Sequence, residues 1–151
     1  MPKIIVSDTS CLIVLDKIGR LALLHEIYNE ITTTPEVQRE FGKDLPNWIT
    51  IVAARDQLFQ NRLNQKLDLG ESSAITLALE FKGSLLLLDD LKARKIATEL
   101  KLDFTGTLGV LVKAKQLGFI SSLRETIAEL HRCGFHFSNK LEQDILKQSN
   151  E

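Results

Sequence analysis

The chain has 151 residues, 44% of them hydrophobic and 26% charged, with a formal net charge of −1. That supply of apolar residues, with 8 Gly and 3 Pro, excludes a disordered chain, and the length suits one domain spanning residues 1–151 whose core needs no metal or disulfide staple. The near-neutral balance excludes a polybasic protein that coats DNA, but not a site in which acids offset basic residues elsewhere.

Lys3 to Ser7 reads as a short buried strand that stops at Ser7-Asp8. Cys11 to Leu15 starts a helical pattern, broken at Gly19 and resumed from Leu21 to Tyr28. Ile31 to Thr34 is a second short β-branched stretch, and Pro35 suits the first turn of a helix carrying Val37 and Phe41. Trp48 to Val52 alternates like a short strand near a sheet edge. From Asp56 to Leu67 sparse apolar residues suggest a helix with a wet surface. Gly70-Glu71-Ser72 opens a helix that Gly83 closes.

Leu85 to Leu88 is apolar at consecutive positions, so it predicts a strand buried on both faces. Asp90 begins a helix through Leu100, Leu102 to Thr105 is a last strand, and Gly106 starts a helix to Leu117. The remainder reads as helices over Leu123–Leu130 and Leu141–Leu146, separated by Gly134. Short strands alternating with helices predict an α/β, three-layer α/β/α fold around a mostly parallel sheet of about four to five short strands. In such sheets the working groups gather beyond the carboxyl ends of the strands.

Acids stand at those ends. Asp8 follows the first strand and Asp89-Asp90 follow Leu85–Leu88, while Glu40 and Glu71 ride on helices beside them. Carboxylates crowded together repel unless a cation neutralises them, and an oxygen-only set favours Mg²⁺ or Mn²⁺ over zinc. Such an ion activates water and steadies charge on a scissile phosphate. Either member of the Asp89-Asp90 pair can supply the ligand, with Asp90 preferred. Arg39, Lys43, Lys92, Arg94 and Lys95 are candidate phosphate contacts, weighed against plain solvated helix faces.

Val6-Ser7-Asp8-Thr9-Ser10, followed by Leu12-Ile13, resembles the opening of PIN-domain ribonucleases, including VapC-type toxins. Pro35-Glu36-Val37 leading to Glu40, then Leu69-Gly70-Glu71-Ser72, then Leu87-Leu88-Asp89-Asp90 with Ala93-Arg94 resemble the other three acidic motifs in order. Thr105-Gly106-Thr107-Leu108-Gly109 and the Gly134–Ser138 tail add matches outside the acids. The resemblance implies a PIN-like fold and an endonuclease of single-stranded RNA that needs Mg²⁺ or Mn²⁺. It also implies a homodimer, held inactive by an antitoxin. Asp8, Glu40, Glu71 and Asp90 carry over as the catalytic acids, with Asp8, Glu71 and Asp89 or Asp90 at the metal. Thr9 and Ser10 supply supporting hydroxyls.

Other signals point to simpler accounts. His131, Cys133 and His136 lack a fourth zinc ligand, and Thr105–Gly109 lacks the lysine of a P-loop. Cys11 and Cys133 read as reduced, mostly buried thiols. With no export signal or apolar span, a cytoplasmic protein without a membrane segment is expected. A non-catalytic RNA- or protein-binding module is the alternative from another class. A phosphoacceptor regulator fits less well, because of the paired Asp89-Asp90.

Overall fold

The computed structural model describes residues 3–151. The elements are β1 (Ile5–Ser7), α1 (Thr9–Lys17), α2 (Ala22–Tyr28), β2 (Ile31–Thr33), α3 (Pro35–Phe41), β3 (Ile49–Ile51) and α4 (Gln57–Leu63). They continue with α5 (Leu69–Glu80), β4 (Leu85–Leu87), α6 (Leu91–Glu99), β5 (Asp103–Thr105), α7 (Thr107–Gln116), α8 (Leu123–Arg132) and α9 (Asn139–Gln148). The strands form one parallel sheet in the order β3-β2-β1-β4-β5. Helices cover both faces, giving the three-layer α/β/α fold.

Alternation of side chains along each strand divides the core. Ile5 and Leu87 face a cluster built with Leu12, Leu15, Leu24, Leu111 and Leu130 from α1, α2, α7 and α8. Val6, Leu86 and Leu88 face the opposite cluster, with Ile75, Leu77, Ala93 and Ala97 from α5 and α6. A run of consecutive leucines is therefore what a strand needs when both of its faces are covered. The β3 edge shows the contrast, with Ile49 buried but Thr50 and Ile51 exposed.

Two expectations shift in detail. The helix expected from Gly70 starts at Leu69 and is capped further upstream by Asp68, whose carboxylate accepts from the Glu71 N–H. Cys11 is buried as expected, whereas Cys133 is exposed, because the turn at Gly134 lifts it off α8 beyond the last packed residue, Leu130.

The order places β1 at a switch point. The chain proceeds from β1 outward to β2 and β3, then crosses back to lay β4 and β5 on the other side. In open parallel sheets the loops leaving two such strands diverge, which puts the working crevice beyond their carboxyl ends. Asp8 leaves one strand and Asp89 the other. Their backbones stay joined, since the Asp8 N–H donates to the Leu87 carbonyl at 3.1 Å.

Candidate metal centre

Asp8 lies at the bottom of the crevice and is 1% exposed. It caps α1, with Oδ1 accepting from the Cys11 N–H at 3.2 Å. Its other oxygen, Oδ2, is buried without any hydrogen-bond partner among the described residues. Burial pushes its pKa well up; the Cys11 N–H opposes that, and the charges of Asp89, Glu71 and Asp68 push it further. A buried carboxylate oxygen without a donor is costly unless something arrives to meet it.

Glu40 reaches the same crevice from the last turn of α3. Its Oε1 accepts from the Thr9 hydroxyl at 2.6 Å and its Oε2 from the Gly70 N–H at 3.0 Å. One carboxylate thereby ties α3 to the starts of α1 and α5. Gly70 is required for this approach, because a Cβ there would run into Glu40 Oε1 and stand 2.6 Å from Thr9 Oγ1. Thr9, rather than the exposed Ser10, carries the hydroxyl that touches an acid.

Glu71 sits in the first turn of α5 and closes a capping box with Asp68, accepting from the Asp68 N–H at 3.4 Å. Burial first, then the charges of Asp68, Asp90 and Glu40, push its pKa up to about 7, against the opposing Asp68 N–H. Asp68 thus belongs to the acidic neighbourhood although the sequence reading passed over it. The signal available was the Asp68-x-x-Glu71 spacing of a capping box.

Asp89 and Asp90 divide their tasks. Asp89 faces the end of β5 and is held by Thr107, from the N–H at 2.7 Å and the hydroxyl at 2.6 Å. Asp90 caps α6, with Oδ2 accepting from the Ala93 N–H at 2.9 Å. Of the two, Asp89 is among the charges that raise Asp8, and Asp90, after Asp68, is among those that raise Glu71. Beneath them, burial and the charges of Asp89 and Asp8 push the Cys11 thiol well up, so it is no nucleophile.

The basic candidates separate. Arg94 is anchored, donating from Nε to the Leu88 carbonyl at 2.7 Å and lying over the Phe104 ring at 5.2 Å. Lys43 is paired with Asp16. Arg39, Lys92 and Lys95 are exposed on α3 and α6. Among the described residues, no lysine or arginine forms an ion pair with Asp8, Glu40, Glu71, Asp89 or Asp90.

The donor set fits a hard divalent cation: it is all oxygen, among the described residues it has no paired lysine or arginine, and it includes the orphaned Oδ2 of Asp8. Among the described residues no three acidic, histidine or cysteine side chains are yet drawn into an ion-holding cluster. Asp89 and Glu40 are meanwhile engaged by Thr107, Thr9 and Gly70.

Residues 4–151 match a family model described as a PIN domain. No curated protein and no solved structure matches the chain. PIN domains are generally metal-dependent nucleases, which agrees with acids standing at the carboxyl ends of β1 and β4, the strands at the switch point of this sheet. With nearly the whole chain matched, this protein belongs to the PIN domain family.

Proposed function

We propose that the protein is a Mg²⁺- or Mn²⁺-dependent endoribonuclease that hydrolyses phosphodiester bonds in single-stranded RNA, leaving a 3′-hydroxyl and a 5′-phosphate. The observation that carries this reading is Asp8: a carboxylate buried at the switch point, with one oxygen unpartnered and other carboxylates around it. Asp8, Glu71 and Asp90 would hold the ion, with Asp89 beside them, and the ion supplies charge to activate water and steady the phosphate. Glu40 keeps lone pairs beyond its bonds to Thr9 and Gly70, and these can orient the attacking water. Arg39, Lys92 and Lys95, exposed on α3 and α6, would meet the RNA backbone, and Arg94, anchored to the Leu88 carbonyl, would brace the wall. The similarity of the four acidic motifs to VapC-type toxins supports a toxin that acts as a homodimer and is restrained by an antitoxin.

A non-cutting binding module is the competing reading, favoured by the prior engagement of Asp89 and Glu40. Thermal melting with millimolar Mn²⁺, together with cleavage of a mixed-sequence RNA, separates the two. The nuclease gains stability with the ion and cuts, and Asp8→Asn loses both properties. A wild type indifferent to Mn²⁺ and inert toward RNA rules out the nuclease.

A further inference from the structure

A cavity of about 750 Å³ opens beside Asp89 and runs away from the other carboxylates, between the start of α6, the end of β5, α7 and α9. Apart from Asp89 and Arg94, its walls take no part in the proposed cleavage. Two glycines let its walls pack closely: a Cβ at Gly106 would strike the Arg94 guanidinium and the Asp89 carboxylate, and one at Gly109 would strike the Thr105 hydroxyl. One face of α9, with Leu141, Asp144, Ile145 and Gln148 at helical spacing, forms the far wall.

That wall is fixed at both ends. Glu142 meets His131 Nε2 at 2.7 Å and accepts from the Phe137 N–H at 3.3 Å. Beyond the helix, Glu151 is held by Lys115 at 3.0 Å. The cavity is therefore a built feature rather than a gap under a loose helix.

Its chemistry selects a class of guest. Phe104 and Phe137 supply flat carbon surface, and Arg94 lies over Phe104 with its Nε locked to Leu88. The charged lining groups are two carboxylates, Asp89 and Asp144, against one guanidinium, Arg94. That balance disfavours a phosphate, and the carbon surface disfavours a hydrated ion. It suits an uncharged flat ring with polar edges, such as a nucleobase turned out of a single strand. The size falls within the roughly 300–1,000 Å³ of small-molecule sites.

We infer that this cavity is a base-specificity subsite, receiving one unstacked nucleobase from the nucleotide next to the phosphate at the carboxylates. Asp144, an exposed lining carboxylate that can only accept, favours bases that carry an exocyclic amino group over uracil. The inference rests on the ribonuclease reading for its orientation and extends it to specificity.

The test uses Asp8→Asn protein in Mg²⁺, titrated with fluorescent octa-adenylate, octa-uridylate and an abasic octamer. Octa-adenylate is expected to bind about tenfold tighter than the abasic strand, with octa-uridylate between them. Leu141→Trp, made at an exposed position, fills the cavity and brings the adenylate-to-abasic ratio toward one. Asp144→Ala narrows the adenylate-to-uridylate ratio. Equal binding of adenylate and abasic strands, no binding of either, or a ratio that ignores Leu141→Trp overturns the subsite. Cleavage by wild type in Mn²⁺ is scored separately. Cutting without base discrimination removes the subsite and keeps the nuclease, whereas discrimination without cutting does the reverse.

Discussion

Two carboxylate environments in this molecule run in opposite directions. Glu151 gathers Lys115 at 3.0 Å, the Leu123 N–H at 2.7 Å, the Arg124 N–H at 3.2 Å and the Ser122 hydroxyl at 3.1 Å. Burial pulls its pKa upward, but those donors, Lys115 first, bring it down to about 2. Asp8 has one N–H donor and carboxylates for neighbours, and is pushed up instead. The chain can surround an acid with donors and does so at the start of α8. At the sheet's switch point Asp8 has a single N–H donor and no paired lysine or arginine among the described residues, the environment that the proposed ion would complete.

The largest break in that contrast is Asp8→Asn. Asparagine still caps α1, so the local helix survives. RNA cleavage should fall by more than the roughly 10–100-fold typical of losing an outer-shell partner of a metal. Metal-free Asp8→Asn should melt higher than metal-free wild type, because a buried charge and its repulsions are gone. Differential scanning calorimetry with and without Mn²⁺ reads both signs. An Asn variant that melts lower without metal breaks the repulsion account.

Gly70→Ala acts one step removed. Its Cβ forces Glu40 to swing, which gives up the Thr9 and Gly70 contacts together. Glu40 can move into solvent, so the fold should tolerate the change to within about 1 kcal/mol while cleavage drops about tenfold. Parallel activity and melting measurements show the split; a loss of fold without a selective loss of activity counts against the brace.

Glu151→Ala tests the compensated acid. Removing an acceptor shared by the first N–H groups of α8 and by Lys115 should cost about 1–2 kcal/mol, the scale of a lost helix cap. Because the folded pKa is lowered to about 2, this stability is present above pH ~4.5 and is lost as pH falls through about 2. Urea melts at pH 7 should show the deficit.

The fold was legible where the signal is local. Leu85–Leu88 announces a two-face strand, Pro35 a helix start, and the acids after strands follow from the topology rule. What escaped was long-range or ambiguous. Thr107 holds Asp89 across eighteen positions and Thr9 holds Glu40 across thirty-one, and no local periodicity encodes such pairs. Asp68 falls between the wet helix expected to Leu67 and the helix expected from Gly70, and its cap role shows only once α4 ends at Leu63 and α5 starts at Leu69. The bond from Arg94 Nε to the Leu88 carbonyl was equally invisible, since an anchored guanidinium and a free one look the same in sequence.

The smallest expected effect falls on Glu71, half-buried at the crevice rim. Its neutral form is favoured in the folded, metal-free protein, with the pKa raised from 4.5 to about 7. The sign is therefore opposite to that of Glu151: its contribution is complete below pH ~4.5 and is lost as pH rises through about 7. Glu71→Gln stays neutral, so its melting temperature should draw level with wild type at low pH and exceed it above pH ~7. Solvent screening keeps the difference to about 1 kcal/mol or less. Because both proteins carry every other titrating group, the difference between their curves isolates this one. A difference that opens on the acid side instead would mean Glu71 is compensated like Glu151, leaving the crevice with less need of an external cation.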